Sequence, residues 1–315
     1  MIIAAVLAAY AASVGTLGAR MLGRARWTAR APMLAIVTYL TAGWSVLAAL
    51  GLAGLTLAIH ATALGGGLSH LIGACVLRLR AEYGTPGGAT VAGLGLTLAG
   101  AVVARTALTA ATHLRAAGLQ ALRHAQTARL VGHPHPALGA VLMDHPQPTA
   151  YCVAGRYPTV IVTTGALQAL DQDQLDAVLA HERAHLASHH HRLVALARIG
   201  RLVLPFLPLM RGADKQIAKL VEMHADDAAT RTSDPRSLAT ALVALATAGS
   251  PAPALAAAAT DSMQRIHRLL GRAEPLGRAR RLLLRATAAS LAVTPVLLAL
   301  APALVALALG RLPVA

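Results

Sequence analysis

The stretch His181-Glu182-Arg183-Ala184-His185 carries the most chemistry in the chain. On a helix, positions i and i+4 share a face, so both imidazoles can reach one ion. Glu182, next to the first histidine, is placed to hold a water activated by that ion and to take its proton. Zn2+ suits such donors, and it lowers the pKa of a bound water towards about 7, which makes hydrolysis available at neutral pH. Histidine is common here, 14 of 315 residues, so the HExxH pattern needs support from context. Glutamate gives some: only Glu82, Glu182, Glu222 and Glu274 occur, and one of these four occupies the base position.

A hydrolytic zinc site takes three protein ligands and keeps one position open. Glu222, in the helical run KLVEMHADDAA, is the best third ligand. Asp226 lies one turn further on the same face, where it can accept a hydrogen bond from a ligand histidine and fix its tautomer. Taken alone, both acids read as a solvated helix face beside Lys215 and Lys219; next to HExxH, ligation is the better reading. His189 falls four residues after His185 and could extend the metal face, but His189, His190 and His191 read first as a polar helix end. His224, about 200° round the helix from Glu222, is not expected to ligate. Arg265 and His267, in DSMQRIHRLLG, are candidates for stabilising an oxyanion, against the plainer reading of basic residues as topology signals.

These residues need a framework. The acidic turn Asp171, Asp173, Asp176 opens a helix over Asp171–His191 that carries the motif, with LDAVLA as its buried approach. Upstream, AYCVAG and YPTVIVTTG read as a hairpin or two paired strands split at Gly155 and Arg156. Strand 159–163 is either an edge open to an extended substrate or an ordinary packed strand, and sequence does not separate the two. Helices are expected over 113–130, 216–230 and 237–248, and the Ala-rich stretch 252–259 is a linker or helix start.

Composition places the whole in a membrane. Apolar residues make up 56% of the chain and charged residues 13%, about half the share usual in a soluble protein. Four runs are long enough to span: about 2–19, 33–59, 89–112 and 286–309. Arg105 sits near one end of the third, where it can snorkel, and Pro295 and Pro302 kink the fourth. The first run lacks a basic leader and reads as a retained span rather than a signal peptide. Leu193–Met210 is apolar but interrupted by Arg198 and Arg201 and ended by Pro205 and Pro208. It reads as a helix of the catalytic domain, buried or grazing the membrane, and not as a fifth span. Leu68–Leu79 reads as a short interfacial helix.

The net charge of +15 comes from arginines beside these runs, which argues for topology signals and against direct nucleic-acid binding. Arg20, Arg24, Arg26 and Arg30 lie between spans one and two. Arg115, Arg123 and Arg129 follow span three, and Arg278, Arg280, Arg281 and Arg285 precede span four. The positive-inside rule puts these segments in the cytoplasm and both termini outside. Cys75 and Cys152 form no CxxC and no disulfide framework. The Ala/Arg-rich, Lys-poor composition points to a bacterial plasma membrane. The expected architecture is a mostly α membrane protein: a three-span region over 1–112, a cytoplasmic α+β zincin-like peptidase domain over 113–285, and a final transmembrane helix over 286–315.

HERAH followed by EMHAD resembles the gluzincin-type membrane peptidases, in which HExxH is followed by an ExxxD helix. Three spans, a cytoplasmic domain and one further span resemble the BlaR/MecR-type antirepressor peptidases. The resemblance covers nearly the whole chain, including YPTVIVTTGALQALDQDQLDAVLAHERAH. It implies His181, His185 and Glu222 as zinc ligands, Glu182 as general base, and Asp226 as the residue that holds a ligand histidine. It also implies signal transduction by cleavage of a protein substrate, a cytoplasmic transcriptional repressor. The β-lactam sensors of that group carry a large extracellular penicillin-binding domain after the last span. This chain ends at Ala315 without one, so β-lactam sensing is not expected of it. An HtpX-like quality-control protease shares the motif chemistry, but three spans before HExxH, rather than two, argue against it. A zinc-binding receptor or scaffold without catalysis is a third reading, opposed by the intact HExxH and ExxxD.

Overall fold

The computed structural model describes residues 1–58, 88–249, 262–271 and 276–308; the interfacial helix expected at 68–79 and the stretch 252–259 lie outside them. Among the described residues, four helices are long and apolar enough to cross a membrane: Ile2–Gly23, Pro32–Ala58, Thr90–Val131 and Arg278–Pro302. The first comprises α1 (Ile2–Ser13), a π-helical turn at Val14–Gly18 and α2 (Ala19–Gly23). The second is α3 (Pro32–Ala58), the third part of α4 (Gly88–Val131), and the fourth part of α11 (Arg278–Ala308). Helix α3 is the hub, packed against α1, α4 and α11. At Gly54 and Gly95 the backbones of α3 and α4 meet so closely that a Cβ on Gly54 would lie 2.6 Å from the Gly95 carbonyl oxygen. Small residues permit this approach where lipid supplies no hydrophobic drive between helices.

Helix α4 does not stop at the expected edge of the membrane region but continues through residues 112 and 113 to Val131. Its last turns carry Ala125 and Ala128 onto a four-stranded sheet. The strands are β1 (His133–His135), β2 (Ala140–Met143), β3 (Ala150–Val153) and β4 (Thr159–Thr163), in the order β1-β2-β4-β3. The expected hairpin is β3–β4, antiparallel with Tyr151 opposite Ile161. The first two strands were not foreseen; β2 is only AVLM, too short for its period to show. β4 runs parallel to β2 and is buried at every position, which its unbroken TVIVT run explains. Val160 and Val162 face one cluster, while Ile161 faces another with Ala125 and Ala128.

After α5 (Thr164–Ala169), the catalytic-motif helix α6 (Gln172–Ala187) lies on the Val160/Val162 face. It is shorter than the 171–191 expected, because His189 takes a left-handed conformation (φ 50°) and α7 (His190–Val203) starts afresh. The run 193–210 is likewise broken: Pro205 and Pro208 separate α7 from α8 (Pro208–Ala229). Helices α9 (Pro235–Gly249) and α10, residues 262–270, complete the domain. Its core merges with that of the spans: Leu209, Met210, Ile217 and Leu220 of α8 share one cluster with Leu7, Ile36, Tyr39 and Val46.

Candidate metal centre

Helix α6 is started by a capping box. Asp171 accepts from the Gln174 amide at 2.9 Å, and the Gln174 side chain accepts from the Asp171 amide at 3.2 Å. The acidic turn expected to open this helix is therefore a specific cap. From that start, the apolar period turns Leu175, Val178 and Leu179 inward and with them His181, which is 6% exposed. His185 follows one turn later. Helix α8 crosses beside α6 and presents Asp226 from its buried stripe and Glu222, a turn earlier, from the partly exposed edge of it.

His181, His185 and Glu222 converge. The two Nε2 atoms are 3.1 Å apart, and the Glu222 oxygens lie 3.5 Å from His181 Nε2 and 3.6 Å from His185 Nε2. Four-coordinate zinc with bonds of about 2.0–2.1 Å requires neighbouring donor atoms roughly 3.3 Å apart. Two imidazoles and a carboxylate at these spacings therefore fit zinc in both geometry and donor chemistry.

Electrostatics agree. Burial pushes His181 down, but Asp226 and Glu222 outweigh it and raise its pKa to about 9, while burial lowers His185 to about 4. Glu222 is held below the usual carboxylate range: burial would raise it, but His181 and Arg265 prevail.

Asp226, fully buried, places Oδ1 3.1 Å from His181 Nδ1, off the line of a straight hydrogen bond. Its carboxylate is gripped by Arg265, whose Nε donates to Oδ2 at 2.9 Å and Nη2 to Oδ1 at 2.6 Å. Burial would raise Asp226, but Arg265 and His181 bring it to about 2. Arg265 Nη1 also reaches Glu222 Oε2 at 3.1 Å. Arg265, one of two oxyanion candidates in the sequence, is thus at the site, whereas His267 is exposed. Removing one partner of so buried a pair costs about 3–5 kcal/mol.

Glu182 faces β3, in contact with Cys152; burial raises its pKa, which suits a group that must take up a proton. Burial, with Glu182 next in effect, pushes the Cys152 thiol up to about 12, so it stays protonated. β3 is an edge of the sheet, while β4, residues 159–163, is interior. The packed-strand reading of 159–163 is therefore the right one, and the edge beside the catalytic helix is Ala150–Val153.

The histidine that sequence reasoning missed is His190. Its Nδ1 lies 3.0 Å from His185 Nδ1 and its Nε2 2.9 Å from His224 Nδ1. With a metal at Nε2, His185 would carry its proton on Nδ1 and donate it to His190, which would donate in turn to His224. Burial lowers His190 to about 3, keeping it neutral and able to accept. Helical spacing pointed to His189, four residues after His185, but the left-handed break at His189 carries it away and brings His190 there instead. His189 stacks edge-on with His191, outside the cluster, and His224 does not join the ligands, as expected. A cleft of about 560 Å³ beside Glu222 and Arg265 also takes in Lys215, Lys219 and Gln264. A larger cavity, about 850 Å³, runs along Arg183, Leu186 and His189 and includes none of the converging residues.

Two histidines and a glutamate converging beside a second glutamate are a donor set suited to metal-dependent hydrolysis, and residues 113–218 match the family model Peptidase family M48. Protease HtpX of Idiomarina loihiensis is 33% identical over 103 residues, 29% of this chain and 34% of that protein. A Protease HtpX homolog of Caldanaerobacter subterraneus subsp. tengcongensis is 30% identical over 88 residues, 27% of this chain and 28% of that one. Another, of Dictyoglomus thermophilum, is 37% identical over 78 residues, 23% of this chain and 25% of that one. The chain thus spans about a third or less of the length of these curated relatives. No solved structure matches it.

Proposed function

We propose that this protein is a membrane-embedded zinc-dependent endopeptidase that cleaves a cytoplasmic or membrane-proximal protein. The convergence of His181, His185 and Glu222 at zinc-like spacing carries the reading. Zinc held there supplies Lewis acidity that polarises water and the scissile carbonyl at neutral pH. Glu182 takes the proton of the attacking water and delivers it to the leaving amine, as its raised pKa suits. Asp226 fixes the orientation of His181, and Arg265 fixes Asp226. The edge of β3 offers backbone groups to an extended substrate beside Glu182. The basic segments beside the candidate spans support a cytoplasmic peptidase domain over 113–285 in a bacterial cell.

Two substrates are in view. The three candidate spans before HExxH among the described residues and the BlaR/MecR-type resemblance support a transcriptional repressor. The similarity to HtpX proteases supports quality control of membrane proteins. Cleavage of a repressor encoded beside this protein favours the first; induction by heat with turnover of misfolded membrane proteins favours the second.

The mechanism is tested on detergent-purified protein, wild type beside Glu182→Gln, by zinc content and peptide cleavage. The expected result is about one zinc per chain in both, as three ligands and an open position require, with cleavage in the wild type alone. Equal cleavage by Glu182→Gln overturns the role of Glu182. Zinc in both with cleavage in neither favours the receptor or scaffold reading.

A further inference from the structure

Helices α7 and α8 form a hairpin whose tip, residues 202–210 (LVLPFLPLM), carries no charge. The tip packs on the candidate spans as well as on its own hairpin. It reaches down among the candidate spans, and three of them locate it independently. A Cβ on Gly15 of the first would meet Leu207 Cδ2 at 2.6 Å, and one on Gly43 of α3 would meet Met210 Sδ at 3.4 Å. Arg105 of α4 donates from Nε to Val203 O and from Nη2 to Leu202 O, both at 2.8 Å. At 1.5 Å rise per residue, Gly15 lies about 8 Å from Arg20, Gly43 about 16 Å from the first residue of α3, and Arg105 about 15 Å from Arg115. All three measures put the tip well inside the basic residues that mark the membrane surface.

The tip is also built for lipid. Irregular backbone at membrane depth survives only where its polar groups are satisfied. Two of the orphan carbonyls ending α7 are taken by Arg105, a third, Gly200 O, by the Leu204 amide, and Leu204 O by the Leu207 amide. Pro205 and Pro208 remove two donors outright. Phe206, the only phenylalanine in the chain, is 70% exposed at the apex, and Leu98, Val103 and Leu108 of α4, the helix whose Arg105 holds the tip, are exposed as well. The nearest charge, Arg105, is taken up by the two tip carbonyls; of the next, Arg201 pairs with Asp214 at 2.8 Å, and the exposed Arg198 and Arg211 are long enough to reach headgroups.

We propose that residues 202–210 form a re-entrant tip immersed in the acyl region of the bilayer, with Phe206 against lipid chains, on the side of the basic segment 20–30. The inference rests on the four helices crossing a membrane and not on the peptidase reading. Glu222 lies twelve residues along α8 from Met210, about 18 Å, which sets the candidate metal centre at the membrane surface. On the peptidase reading, the favoured substrates present their scissile bonds there.

The test is depth in proteoliposomes. A nitroxide is placed at Phe206→Cys in the full chain with Cys75 and Cys152 replaced by Ala, and its collisions with oxygen and with a water-soluble nickel chelate are measured. Leu98→Cys, on the exposed face of α4, is the lipid control, and Asp173→Cys, in the first turn of α6, the water control. The expected oxygen-to-nickel ratio at 206 matches that at 98 and stands well above that at 173. A ratio matching 173 overturns the proposal, and so does shielding from both reagents, which would mean that a protein covers the tip. Water-like behaviour at 98 overturns the membrane reading of α4 and this inference with it. Quenching of Phe206→Trp by brominated lipid, above the background of Trp27 and Trp44, repeats the measurement without a label.

Discussion

Among the residues of the candidate metal centre, His190 shows how its neighbours are held. A ligand histidine keeps its orientation through its second ring nitrogen, commonly bound to a carboxylate or carbonyl. His181 has a carboxylate, Asp226; His185 has another imidazole, at 3.0 Å. Loss of such a partner lowers metal affinity about 10–100-fold. His190→Ala is therefore expected to bind zinc weaker by that factor in competition with a chromophoric chelator. His190→Asn, whose carbonyl can accept the His185 proton, recovers most of it. Unchanged affinity in His190→Ala would show that packing alone orients His185.

Among the elements, the closest approach is between α3 and α4. A Cβ on Gly54 would stand 2.6 Å from a backbone oxygen, whereas one on Gly51, a turn away, meets nothing within 4 Å. Overpacking of this kind costs about 1–3 kcal/mol. Gly54→Ala is expected to lower the melting temperature in detergent by several degrees, as such a cost implies, and Gly51→Ala to leave it unchanged. Equal melting of the two variants would mean that the spans separate without cost. The same pair of helices shows which elements sequence revealed. The four spans were legible because a run of about 20 apolar residues matches the thickness of a bilayer and is rare in soluble folds. Strands β1 and β2 were not, because three or four residues carry no period and their pairing is set by the later strand β4.

For the whole molecule, the main question is the side of the membrane on which the metal centre works. The arginines of 20–30, 113–130 and 278–285 agree on the cytoplasm. Ser233→Cys, in the turn between α8 and α9, is expected to react with a membrane-impermeant maleimide in inverted vesicles and not in intact cells from which the outer envelope has been removed, in a chain with Cys75 and Cys152 replaced. Labelling in the intact cells would reverse the orientation and remove cytoplasmic repressors from the candidate substrates.

The sequence by itself determined the chemistry and the solvent. His181 with His185, and Glu222 with Asp226, stand at helical spacings that put each pair on one face whatever the rest of the chain does, Glu182 follows the first histidine, and apolar run lengths name the candidate spans. Tertiary structure decided everything that depends on which faces meet. It chose Arg265 over His267 and His190 over its neighbours, and made β3 rather than β4 the edge beside Glu182. It also broke 193–210 into a hairpin seated among the spans. The physical reason is the range of the forces involved. Periodicity is written within a few residues of chain. A hydrogen bond between Arg265 and Asp226, or between Arg105 and Val203, joins residues far apart in sequence, and only packing brings them within 3 Å.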